Sequence, residues 1–196
     1  MHARTDRLFE IAAGQQGYFT AAQAAACGYP SSNQVYHVRA GTWRREHRGI
    51  YRLTRFPASP DGLCVLWSLW SCNRKGEPQG VYSHQTALSM FELSDLMPAR
   101  LHMIVPPGFR RNAPIPNAVV LHRAALDAGE IESRQGFRVV RPLRAIADLL
   151  REQTADRGQL RDALRQALDR GLVTRTEFNR HPGRRELQAL LGKRSS

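Results

Sequence analysis

Between Ser32 and Arg48 the chain gathers side chains of the kinds that read base edges and clamp phosphates. At a helical advance of about 100° per residue, Asn33, Tyr36 and His37 fall opposite Val35 and Val38, with Ser32 and Gln34 on the flanks. Amide, hydroxyl and imidazole groups supply the donors and acceptors that pair with base edges in a major groove. The valines are then the inward pair. Behind this stretch stand Arg44, Arg45 and Arg48, whose planar guanidinium forks match phosphate oxygens, while Arg39 reaches toward the backbone from the helix flank. A polar outer face is equally what an ordinary surface helix presents, so the helix alone decides nothing. Arginines attached directly behind it favour a groove-reading helix with a phosphate clamp.

Other chemistry is harder to assemble from this sequence. His84 follows Ser83 at a predicted helix start, but no H-x-H or H-E-x-x-H spacing and no neighbouring cysteine accompanies it. It therefore reads as a structural residue near a helix terminus. His102 and His122 each stand alone within predicted strands. Cys27, Cys64 and Cys72 form an odd set without C-x-x-C spacing, which argues against both a zinc knuckle and a disulfide framework and fits a reducing cytoplasm. A restriction-type nuclease needs carboxylates to hold a metal and usually a lysine close by. The lysines, Lys75 and Lys193, lie beside no D-x-K or E-x-K pattern, and the chain stops where such a nuclease domain would begin. No P-loop, nucleophile elbow, Rossmann fingerprint or zincin helix is present. The expectation is a protein that is not an enzyme, with no catalytic, cofactor-binding or metal-ligating residues.

The elements that must position the arginines and the helix face can be read in order. Leu8, Ile11 and Ala12 follow helical spacing, predicting a first helix over about Asp6 to Gln15 that Gly17 breaks. Tyr18 and Phe19 are extended, and Thr20 with Gln23 spells a capping box for a second, alanine-rich helix to Ala26, small enough for close packing. Gly28 supplies the exit, Tyr29 and Pro30 the turn, and Ser31 with Gln34 a further capping box opening a third helix to Ala40. From Trp43 to Leu53 the pattern is a hairpin folded at Arg48 and Gly49, anchored by Trp43, Ile50, Tyr51 and Leu53. Three helices followed by a basic hairpin is the winged helix-turn-helix layout. Up to Arg55 eight arginines face Asp6, Glu10 and Glu46, a net of +5.

The whole chain of 196 residues carries +12 with a pI near 10.9, which favours an anionic partner: nucleic acid, an acidic protein or a membrane surface. All but two of its 29 basic residues are arginine, a skew that a GC-rich genome would also produce. The longest apolar run, Leu63 to Trp70, is far too short to span a membrane, and Asp6 and Glu10 interrupt any leader-like stretch. A soluble cytoplasmic protein is expected.

Beyond a linker-like Phe56 to Gly62, Leu63 to Ser71 reads as a buried helix in which Trp67 and Trp70 are core. Val81 and Tyr82 are extended ahead of a helix to Phe91. Arg100 to Val105, Ala118 to Arg123 and Gly136 to Val140 read as strands, the first two joined by a proline-rich loop whose Arg110 and Arg111 are exposed or touch a phosphate or partner. Pro142 opens a helix with Leu143, Ile146, Ala147 and Leu150 along one stripe; Leu160, Leu164, Ala167 and Leu168 mark another. Thr174 with Glu177 caps a short helix, and Leu187, Leu190 and Leu191 a last one before a basic tail. The fold class is α+β: an N-terminal winged helix-turn-helix over residues 1–56, then a mixed α/β domain with C-terminal helices over 60–196.

The stretch from Phe19 to Leu53, F-T-A-A-Q-A-A-A-C-G-Y-P-S-S-N-Q-V-Y-H-V-R-A-G-T-W-R-R-E-H-R-G-I-Y-R-L, resembles the N-terminal domain of AbiEi-type antitoxins of type IV toxin–antitoxin systems. Y-S-H-Q-T-A-L (Tyr82 to Leu88) and V-R-P-L-R-A-I-A-D-L-L (Val140 to Leu150) resemble two further signatures of such proteins. The resemblance implies a transcriptional repressor that binds repeats in its own promoter and counteracts a nucleotidyltransferase toxin encoded nearby. Its partners would be double-stranded DNA, that toxin and further copies of itself on DNA, with no cofactor and no membrane. Three rivals stay open: a regulator without a toxin, a nuclease-related protein lacking its catalytic domain, and a winged-helix module that binds an acidic protein.

Overall fold

The computed structural model describes residues 2–94 and 98–192, so the expected basic tail lies outside the described residues. Packing divides the chain into two compact units, residues 1–80 with 133–138 and residues 81–132 with 139–196. The linker-like stretch after Phe56 thus lies inside the first unit, and the helix beyond it packs there too.

The first unit runs α1 (His2–Ala13), β1 (Tyr18–Thr20), α2 (Ala21–Ala26), α3 (Ser31–Arg39), β2 (Trp43–His47), β3 (Ile50–Leu53) and α4 (Gly62–Trp70). Its antiparallel sheet has the order β1-β3-β2, with Phe19 opposite Tyr51 and Trp43 opposite Leu53. This is the winged-helix arrangement. The capping box at Thr20 forms as spelled: its hydroxyl accepts from Gln23 N, and the Gln23 side chain accepts from Thr20 N. Leu8, Ala12, Phe19, Ala24, Cys27 and Trp43 make the core, with Val38 and Tyr51 packed against it. Phe19 and Trp43 meet edge to face at 4.8 Å, the geometry aromatic quadrupoles favour. Between β2 and β3 the chain reverses at Gly49, whose φ of +72° is a conformation costly for any residue with a Cβ. In α4 Val65 and Trp70 are wholly buried and Leu63 is exposed.

The rest of the chain runs β4 (Val81–Tyr82), α5 (His84–Met90), β5 (Leu101–Val105), β6 (Val119–Arg123), β7 (Ile131–Arg134), β8 (Phe137–Val140), α6 (Pro142–Glu152), α7 (Arg157–Asp169), α8 (Arg175–Arg180) and α9 (Arg184–Leu191), all in the second unit except residues 133–138 of β7, β8 and their turn. The sheet order is β6-β5-β4-β8-β7, with β5 parallel to β6, β4 parallel to β8 and β4 antiparallel to β5. The strand β7 was not expected from the sequence. Pro142 takes the first turn of α6, whose Leu143, Ile146 and Leu149 are buried. Asp148, 1% exposed, is held by Arg144 at 2.8 Å and Arg151 at 2.6 Å, so its burial does not leave a lone charge. Leu160, Leu164 and Ala167 bury one side of α7, and Leu187 and Leu190 one side of α9. The architecture is α+β throughout, and none of the described helices is long and apolar enough to cross a membrane.

Candidate nucleic-acid interface

The helix α3 is oriented by a side chain expected to face outward. Gln34 is only 4% exposed, and its amide donates to Ala21 O at 3.1 Å and Tyr29 O at 2.9 Å. Those carbonyls belong to the start of α2 and to the turn, so one side chain ties the two helices and their connection together. Pro30 occupies the N-cap without a side-chain hydrogen bond, and the capping box spelled by Ser31 and Gln34 does not form. Because Gln34 points inward with Val38 one turn later, the helix is rotated from the expected register. Val35, expected inside, is 50% exposed.

The outer face that results carries Ser32, Asn33, Val35, Tyr36 and Arg39, all exposed, with Tyr36 at 67%. His37 is half-buried. Its ring stacks on Trp43 at 4.5 Å and 15°, and its Nδ1 lies 3.0 Å from Thr42 Oγ1. Burial holds its pKa below the usual 6.5. Gln34, expected on the flank of the reading face, instead fastens α3 from inside, and His37, expected to face the groove, is half-buried and joins α3 to the base of the hairpin.

On the hairpin, Arg44, Arg45 and Arg48 are exposed. Arg44 Nε donates to Glu46 Oε1 at 2.6 Å, which keeps one of the three guanidiniums paired within its own strand. Arg52 is spent differently: it donates to Phe56 O at 3.0 Å and Pro57 O at 2.6 Å and lies 5.5 Å over the Tyr18 ring. It pins the exit of the sheet. The surface left is a polar and aromatic helix face beside a cationic hairpin, which can offer donors to phosphates and both polar and apolar contacts to base edges.

Sequence reasoning missed one assembly, and it lies in the second unit. His84, His102 and His122 are far apart in the chain, yet one ring nitrogen from each lies within 4.8 Å of the others. No local spacing announces such a group, because the parallel pairing of β5 with β6 creates it.

No curated protein matches the chain. The crystal structure of the RV2827C protein from Mycobacterium tuberculosis is similar over 98% of this chain and 82% of its own, at 16% identity and a TM-score of 0.56, which shows a shared fold. Over residues 6–54, the stretch that carries α2, α3 and both strands of the basic hairpin, the chain matches the family described as transcriptional regulator, AbiEi antitoxin.

Proposed function

We propose that the chain is a DNA-binding transcriptional repressor working as the antitoxin of a type IV toxin–antitoxin pair in the cytoplasm. It grips repeats in its own promoter and counteracts a nucleotidyltransferase toxin encoded nearby. The observation that carries this reading is the exposed face of α3, with Asn33 and Tyr36, set beside the exposed Arg44, Arg45 and Arg48 in a winged-helix unit.

In this assignment Ser32, Asn33 and Tyr36 meet base edges in the major groove, Val35 supplies an apolar contact of the kind a thymine methyl accepts, and Arg39, Arg44, Arg45 and Arg48 neutralise phosphates. A net charge of +12 supports long-range attraction to a polyanion. No catalytic step is assigned to the chain. Promoter repeats would be occupied by several copies, each contributing one α3.

A gel shift of the full chain on its own upstream DNA against a random duplex, at physiological salt, tests partner and specificity together. The expected result is retention of the upstream duplex at concentrations that leave random DNA free. Failure to bind any duplex even at low salt would end this reading in favour of an acidic protein partner. The toxin arm is tested separately, by growth rescue on co-expression with the neighbouring nucleotidyltransferase and by asking whether the two co-purify. Upstream DNA binding without rescue would leave a regulator that has no toxin.

A further inference from the structure

The second unit places three imidazoles and a carboxylate together from four separate elements. His84 is the first residue of α5, His102 and His122 lie on β5 and β6, and Glu152 ends α6. In the parallel register His102 pairs with Val120 and Ile104 with His122, so both strand histidines lie on the same face of the sheet. His102 Nδ1 is 3.0 Å from His122 Nε2, and the His84 ring stacks on that of His122 at 3.7 Å and 16°. Glu152 Oε2 lies 3.2 Å from His84 Nε2 and 3.7 Å from His122 Nδ1.

Packing alone gives a poor account of His84. The residue is 1% exposed and sits at φ +53°, a left-handed conformation that costs energy in a residue with a Cβ. Its Nε2 is buried and makes no hydrogen bond, the Glu152 oxygen lying out of line for one. With Nδ1 held by Ser83 Oγ at 2.9 Å, the buried Nε2 of this strained residue is left with a carboxylate contact but no hydrogen bond, and a metal ion shared with the neighbouring imidazoles would satisfy it.

We propose that His84, His102 and His122, with Glu152 as fourth ligand or as the acceptor that orients His122, form a binding site for a borderline divalent transition-metal ion such as Zn2+. Three imidazoles and a carboxylate are a donor set that suits zinc. Two imidazoles on one tetrahedral ion hold their nitrogens roughly 3.3 Å apart, so the His102–His122 pair has only to part by a few tenths of an ångström. The proton that His102 and His122 share must leave the ligating nitrogens. On His122 it moves to Nδ1, which Glu152 Oε2, 3.7 Å away, has to approach by a few tenths of an ångström to accept, giving the carboxylate–histidine–metal arrangement. Partial exposure of His122 and Glu152 leaves a way in for the ion.

The test uses the full chain, stripped with a chelator, incubated with ZnCl2, freed of loose metal and measured for bound zinc. One zinc per chain is expected, with a rise in melting temperature on loading. His102→Ala with His122→Ala should fold as the stripped wild type does and hold no zinc, while binding DNA unchanged. Substituting Co2+ should give the visible bands of a nitrogen and oxygen site, without the charge-transfer band that ligation by Cys27, Cys64 or Cys72 would produce. Substoichiometric uptake by the wild type, or equal uptake by the double variant, overturns the proposal. Should that variant fail to fold, the cobalt spectrum of the wild type still decides: no visible bands, or a thiolate band, rejects the site.

Discussion

Gln34 and Asn33 are neighbours on α3, and their opposite burial separates folding from the proposed recognition at the scale of single side chains. Gln34→Ala removes two hydrogen bonds and leaves the carbonyls of Ala21 and Tyr29 short of a donor. A loss of about 1–3 kcal/mol is expected in denaturant unfolding, with base preference unchanged in the molecules that remain folded. Asn33→Ala should do the reverse, keeping stability while preference between upstream and random duplexes disappears. Equal weakening on both duplexes would contradict a base-reading role for Asn33. His37 offers a third residue-level check. Burial against Trp43 lowers its pKa, so the folded chain binds that proton more weakly than the unfolded chain does. The stability tied to it is complete above pH 6.5 and declines as pH falls below that value toward the lowered folded pKa. An NMR titration of His37 should find its midpoint below 6.5; a midpoint at or above 6.5 would place the ring in water.

Among the elements, the hairpin is where affinity should be tuned without regard to base sequence. Arg44→Ala with Arg45→Ala should weaken binding to every duplex and reduce the slope of log affinity against log salt by about 2, one for each phosphate contact removed. Unchanged affinity and slope would detach the hairpin from DNA. Glu46 holds Arg44 at 2.6 Å and, in the proposed DNA complex, would compete with phosphate for it. Glu46→Gln should therefore tighten binding to upstream and random DNA alike, visible as a parallel shift of both titration curves. Element by element, the sequence was most legible where the decisive partners are close in the chain. Thr20 with Gln23 and Thr174 with Glu177 form their capping boxes because donor and acceptor are three residues apart, and their further partners, Gln15 and Arg141, leave the capping contacts in place. Ser31 with Gln34 has the same spelling, but Pro30 takes the cap and more distant carbonyls capture the glutamine. That single capture rotated the helix face and exposed Val35. The histidine group was illegible for a related reason: its members meet only once β5 and β6 pair in register, and no local pattern encodes that pairing.

On the scale of the whole molecule, the first unit is not one continuous piece of chain. Residues 133–138 belong to it along with residues 1–80. Within it the Gln135 amide donates to Ala13 O at 2.7 Å, and Gly136, at φ +88°, passes so close that an added Cβ would stand 2.9 Å from Val65 Cγ2 and 3.1 Å from Gln15 Cα. Gly136→Ala should destabilise this unit by at least about 1–2 kcal/mol from backbone strain alone, with crowding adding to it; an unchanged unfolding midpoint would mean that this packing is dispensable. A discontinuous unit has a bearing on synthesis. On the ribosome residues 1–80, α3 among them, emerge before the segment that completes their unit, which is made only after more than fifty further residues, β4 to β6 among them. Nascent chains stalled before Ser133 should leave residues 1–80 open to protease, and chains stalled well past Arg138 should protect them. If the proposed function holds, a half-made chain would grip DNA poorly, so occupancy of the promoter would report finished chains and not the rate at which translation begins.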